Sequence, residues 1–212
     1  SDYINDFQNG DPIIGSYPLS ASISRQRFAV NHGINNTTES HILALINTLN
    51  HYTSYSPHYA FSSSLGDKSL QQLTLLHIPS IFYGTSIDRG SVDLKFFISG
   101  TLVARAQDIN YNGELIQIDG TEYAKQQATG AAPTNGNQVA GVVLYDEGVL
   151  VLTGSWNLSP STIALGSGSS VERPTWITFA AGAHDTGSFI GAVNPSASFS
   201  VDFNGTKNIE TN

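Results

Sequence analysis

The chain contains no cysteine and no methionine among its 212 residues, and few charged side chains. Without cysteine no disulfide framework is available, and the redox compartment cannot be inferred from this residue type. The missing methionine extends to position 1, and the expectation drawn from it is a chain whose initiator is removed or one processed from a longer precursor. Charged residues make up 12% of the sequence, with acids in excess and a formal net charge of −8. An acidic chain repels a phosphate backbone, which argues against nucleic-acid binding. No apolar run reaches the roughly 18 residues of a membrane-spanning helix, so no membrane association is expected. No charged-then-apolar signal segment stands at the N-terminus.

What fills the chain instead is Ser, Thr, Asn and 20 glycines. That balance favours turns and strands over helices. A chain of this length buries roughly 70% of the surface its unfolded form exposes, so it needs no metal or disulfide staple. The organisation expected is an N-terminal arm over residues 1–16 and a single β-rich domain over 17–212. The fold class expected is mainly β, an antiparallel β-sandwich or barrel-like fold with one amphipathic helix.

Two apolar runs, Ile81-Phe82-Tyr83 and Val92 to Ile98, flank Asp88-Arg89-Gly90 and predict a β-hairpin. A second copy of the plan runs from Val142 to Thr153 around Asp146-Glu147-Gly148. Further strands are predicted over Tyr17–Ser24, Leu70–His77, Thr101–Ala106, Glu114–Ile118, Pro174–Ala180 and Ser196–Phe203. In the last of these Ala197, Phe199, Val201 and Phe203 alternate on one face. Asn112-Gly113 is a hairpin signal, because both residue types tolerate positive φ. The helix is placed at Thr38 to Tyr52: Ile42, Leu45, Ile46 and Leu49 share one face at 3.6 residues per turn, and Thr38 suits an N-cap. Residues 121–138 and 159–172 are expected as surface loops. The polar arm carries Ile4, Phe7, Ile13 and Ile14, too apolar for a free tail, and is expected to dock on a neighbouring subunit unless it forms an outer strand of its own sheet.

No residue pattern nominates a catalyst, a cofactor site or a metal site. Asp108-x-Asn110-x-Asn112-Gly113, with Asp119 at the twelfth position, resembles a calcium loop. Its neutral Asn ligands, its final Asp and its strand-like flanks make an Asn-rich hairpin tip the better reading. His32, His41, His51, His58, His77 and His184 form no metal-ligand pair of H-x-x-x-H spacing. Gly166-Ser-Gly-Ser169-Ser170 approaches a hydrolase elbow and fails at its last position. Asp146 and Glu147, adjacent on a turn, point apart and do not make a glycosidase pair. Asn35, Asn36, Asn157 and Asn204 open N-x-S/T triplets at a frequency this composition explains. Tyr52, Tyr55, Tyr59 and Phe61 surround Pro57-His58; an aromatic cluster there suits sugar stacking, a protein interface, or a buried latch over the sheet.

Five blocks, in order, carry a resemblance: Tyr17 to Arg25 (YPLSASISR), Asn47 to Lys68 (NTLNHYTSYSPHYAFSSSLGDK), Ile78 to Leu102 (IPSIFYGTSIDRGSVDLKFFISGTL), Asn112 to Gln117 (NGELIQ) and Val139 to Leu158 (VAGVVLYDEGVLVLTGSWNL). In these blocks the chain resembles virion structural proteins of T4-like tailed phages of marine cyanobacteria and their relatives. The resemblance covers most of the chain from Tyr17 onward and brings no catalytic residue with it. It implies a non-enzymatic structural subunit of tail, baseplate, fibre or neck, located in the virion. Other virion proteins and copies of itself are the implied partners. The alternatives are a module that binds a host-surface glycan and a capsid decoration protein; a depolymerase-type enzyme is disfavoured by the absence of a paired acid site.

Overall fold

The structure is a computed structural model that describes residues 14–16, 23–28, 40–123, 138–160, 163–164, 171–180 and 197–205. The strands, in chain order, are β1 (Ile14–Ser16), β2 (Ser24–Phe28), β3 (Ser62–Ser63), β4 (Gly66–Asp67), β5 (Leu73–His77), β6 (Asp93–Ile98), β7 (Thr101–Gln107), β8 (Glu114–Asp119), β9 (Val139–Leu144), β10 (Val149–Leu152), β11 (Ile163–Ala164), β12 (Val171–Glu172) and β13 (Ala197–Asn204). Nine of them form one sheet in the order β1-β13-β6-β7-β8-β9-β10-β5-β2, every pairing antiparallel. The chain is therefore mainly β, as expected, and takes the barrel-like form: the sheet curls into an open half-barrel. Two small ladders, β3–β4 and β11–β12, lie outside it.

The sheet grows from hairpins that the turn residues dictate. Ser99 and Gly100 both hold positive φ (50° and 77°), the two-residue geometry that matches strand twist, and close β6 onto β7. The predicted tip at Asn112-Gly113 does close β7 onto β8, but positive φ falls on Tyr111 and Gly113 (57° and 84°) rather than on Asn112. Gly148 (φ 64°) closes β9 onto β10, the predicted 142–153 hairpin. β6 alternates cleanly, with Leu94, Phe96 and Ile98 buried. In β9 every residue from Ala140 to Leu144 is buried, so that strand is covered on both faces.

The predicted first hairpin is corrected. Val92–Ile98 does enter a strand, and Asp88–Gly90 does turn, with Ser91 N–H donating to the Asp88 carbonyl at 3.2 Å. Ile81-Phe82-Tyr83 is not its partner. Ser80–Phe82 is a 3₁₀ turn, because Pro79 presets φ at −61° and the Ser80 carbonyl then accepts from both Tyr83 and Gly84. Ile81 is left 78% exposed. The partner of β6 is β7 on one side and β13 on the other.

Pro174–Ala180 is likewise a turn: Trp176–Thr178 is 3₁₀, closed by a capping box between Thr175 and Thr178. The expected helix has the predicted face, with Ile42, Leu49 and Tyr52 buried and Leu45 and Ile46 packed against the core. Its backbone runs 3₁₀ over Ser40–Leu45, α over Ile46–His51 (α1) and 3₁₀ again over Tyr52–Ser54. A segment this short is held by packing rather than by intrinsic helicity. Thr38 lies outside the described residues. Most of the edge strand expected over Tyr17–Ser24 lies outside the described residues, and β2 (Ser24–Phe28) begins at its last residue. Of the arm, Ile14–Ser16 pairs with Asn204–Asp202 at one edge of the sheet; residues 1–13 lie outside the description. The second loop contains the β11–β12 ladder. Most of the first, 124–137, is not described.

Candidate functional site

A polar, aromatic cleft of about 300 Å³ opens where three stretches meet: the end of α1 with the following turn (His51, Tyr52, Tyr55), the loop before β6 (Ser86 to Arg89), and the β9–β10 turn (Tyr145, Asp146). Its floor is set by Tyr52 and Tyr145, both buried. The Tyr52 hydroxyl donates to the Glu147 carboxylate at 3.0 Å and accepts the Asp146 N–H at 3.1 Å, which ties the helical segment to the β9–β10 turn. Tyr52 stacks on Tyr59 with ring centroids 5.2 Å apart, and Tyr59 reaches through to donate its hydroxyl to the Val143 carbonyl of β9. Burial pushes the Tyr52, Tyr59 and Tyr145 hydroxyls well above the ordinary tyrosine range, so all three stay protonated.

The rim is different. Tyr55 is 38% exposed, and the Arg89 guanidinium lies 4.1 Å from its ring centroid and 5.6 Å from that of Tyr145. This is cation–π geometry. Among the described residues Arg89 has no ion pair, and the carboxylates of Asp88 and Asp146 have no hydrogen-bond donor. The cleft thus brings together a half-exposed ring, one cation and two acids with unused hydrogen-bonding capacity.

The aromatic cluster expected from sequence divides in two. Tyr52 and Tyr55 line the cleft, whereas Tyr59 and Phe61 belong to the core. Sequence reasoning missed Arg89, Asp88 and Tyr145, because they reach the cluster only through the fold; the predicted turn at 88–90 and the predicted hairpin around 146 held the signal. Of the adjacent acids, Glu147 is tied to Tyr52, and Asp146 lines the cleft.

The Asn-rich loop is built around Asp108, which is wholly buried. Its oxygens accept the Gly113 N–H at 2.9 Å, the Gly90 N–H at 2.8 Å, and the Tyr145 hydroxyl. Asn112 accepts the Glu114 N–H at 3.2 Å, an Asx turn that starts β8. Asp108 therefore organises the cleft's underside through its link to Tyr145, while Asp119 accepts the N–H of Gly120 at 2.7 Å. Of the histidines, His51 lines the cleft, His58 is half-buried with its pKa lowered by burial, and His77 is exposed at the end of β5. His32, His184, the His41 side chain, Asn35, Asn36 and the 166–170 stretch lie outside the described residues. Asn157 is exposed, and Asn204 sits half-buried in β13.

No helix among the described residues is long and apolar enough to cross a membrane. No protein-family model matches the chain, and no curated protein or solved structure matches it at a significant level. The class that fold and site define is an antiparallel, curled β-sheet protein bearing a small aromatic cleft at one of its turn clusters.

Proposed function

We propose that the chain is a non-enzymatic structural subunit of a tailed-phage virion, assembled in many copies in tail, baseplate, fibre or neck. Its partners on this reading are other virion proteins and further copies of itself. The observation that carries it is the use the fold makes of the blocks behind the family resemblance. Asn47–Lys68, Ile78–Leu102, Asn112–Gln117 and Val139–Leu158 supply α1, β6, the start of β7, most of β8, and the β9–β10 hairpin, which form one continuous framework.

The form of the sheet adds support. Among the described residues β1 and β2 stand at the two ends of the strand order, and β1 is described over three residues. Strands at the ends of a sheet are where a neighbouring chain can join by strand addition. The test is quantitative peptide mass spectrometry of gradient-purified particles. The expected result is the chain at a fixed ratio of several copies to a known single-copy component. Recovery only in the soluble fraction of the lysate overturns the reading.

A second reading, a module that binds a host-surface glycan, is favoured by one specific feature, the Tyr52–Tyr55–Arg89 cleft. A structural subunit does not require such a cleft.

A further inference from the structure

We infer that the cleft between Tyr55, Asp88, Arg89 and Asp146 is a binding site for a neutral saccharide, one or two pyranose rings in size. This deepens the glycan-binding reading and stands apart from the virion assignment.

Size sets the first limit. A volume of about 300 Å³ lies at the small end of the roughly 300–1,000 Å³ that small-molecule sites occupy. It admits a sugar unit and not an extended peptide or a folded partner.

The lining sets the chemistry. Pyranose rings present an apolar face of C–H groups and a rim of hydroxyls, each both donor and acceptor. Tyr55 offers, for the apolar face, the part of its half-exposed ring that Arg89 does not cover. Asp88 and Asp146 offer acceptors, and Arg89 offers planar donors, none of them engaged in a hydrogen bond or ion pair among the described residues.

The mixed signs then choose among sugars. An acidic sugar meets two carboxylates at the cleft, with Glu147 on the same turn, in a chain of net charge −8. An amino sugar meets Arg89, which already occupies the cation position over Tyr55. A neutral polyol meets neither penalty and uses both kinds of partner. The floor is pre-formed: Tyr52 is held by Glu147 and the Asp146 N–H, and Tyr145 by Asp108.

The test is a ¹H–¹⁵N NMR titration of the full chain with methyl glycosides of glucose, galactose, mannose, rhamnose, N-acetylglucosamine and N-acetylgalactosamine. Glucuronic acid, N-acetylneuraminic acid and glucosamine serve as charged comparators. The expected result is saturable shifts for at least one neutral glycoside, confined to amides of the helix end, the 86–89 loop and the 145–147 turn. Binding should weaken at least tenfold in Tyr55→Ala and again in Asp146→Asn. Both positions are exposed, so the variants keep the wild-type spectrum elsewhere. Absence of saturable shifts at the cleft with every neutral glycoside overturns the inference. So does tighter binding of a charged comparator, or undiminished binding in Tyr55→Ala. Because the titration uses the isolated chain, its failure leaves the particle location measured independently.

Discussion

The hydroxyl of Tyr145, at the end of β9, donates to the carboxylate of Asp108, at the end of β7, and the two are buried together beneath the cleft. Asp108 also collects the N–H groups of Gly90 and Gly113. One side chain thereby fixes three turns: the one that leads into β6, the one that closes β7 on β8, and the one that opens toward β10. Replacing it leaves three donors without an acceptor. Asp108→Ala is expected to lose about 3 kcal/mol or more of stability, since hydrogen bonds to a charged group contribute roughly 1.5–3 kcal/mol each and do not add fully. Urea unfolding monitored by circular dichroism measures it. A loss below about 1 kcal/mol would show that these bonds are not what holds the turns.

The same side chain opens the calcium-like motif. Its oxygens accept from protein donors, one of them Gly113 of the loop itself. Excess EDTA is therefore expected to leave the melting temperature unchanged. A fall of several degrees that calcium restores would contradict this.

Two glycines with similar dihedrals should respond very differently to alanine. Gly100 (φ 77°) has nothing within 4 Å of where a Cβ would stand, so Gly100→Ala is expected to cost only the left-handed strain, about 1–2 kcal/mol. At Gly113 (φ 84°) that Cβ would lie 1.7 Å from the Tyr59 hydroxyl oxygen, which is itself bonded to β9. Gly113→Ala is expected to cost at least about 2 kcal/mol more than Gly100→Ala, because the strain is joined by displacement of a buried ring. Equal losses in paired urea melts would refute the packing argument.

Both tryptophans of the chain donate their indole N–H to one atom, the Gln117 side-chain oxygen, from 2.6 Å (Trp156) and 2.9 Å (Trp176). Gln117 is buried in β8. Gln117→Leu is expected to destabilise by about 2–4 kcal/mol, as two sheltered donors lose their partner. Intrinsic tryptophan fluorescence should shift as well, since every tryptophan reports on this one contact. An unaltered emission maximum would show that the shared acceptor does not set the indole environments.

Lys68 is buried, its ammonium donating to the carbonyls of His58 and Ala60 at 2.9 and 2.6 Å, and burial lowers its pKa from 10.5 to about 8. Between these values the unfolded chain binds the proton that the folded chain has released. Unfolding then takes up a proton, and stability rises with pH over this window. The stability difference between wild type and Lys68→Gln should therefore move in favour of wild type from pH 8 to pH 10. A flat difference would show that Lys68 keeps an ordinary pKa.

Which parts of this were legible in the sequence follows from where their determinants lie. The 142–153 hairpin, the hairpin tip at Asn112-Gly113 and the final strand carry local signals, apolar or period-two runs beside turn residues, and each forms, although Tyr111 rather than Asn112 takes the positive φ beside Gly113. The helical face was legible because Ile42, Leu45, Ile46 and Leu49 repeat at 3.6 residues, although the backbone winds tighter than α at both ends. Ile81–Tyr83 and Pro174–Ala180 were misread because a short apolar run does not distinguish a strand from a turn. Pro79 and the Thr175–Thr178 pair decide those cases locally. The cleft was half legible. Tyr52 and Tyr55 stand together in sequence, but Arg89 and Asp146 join them through long-range pairing that no local pattern encodes.

The proposed structural place in a virion is tested most directly by a cryo-electron microscopy map of the intact particle from the genome that encodes the chain. The expected result is symmetric density in many copies that fits the nine-stranded half-barrel, with neighbouring chains packed against it. A complete map in which every density is assigned to other proteins would contradict it.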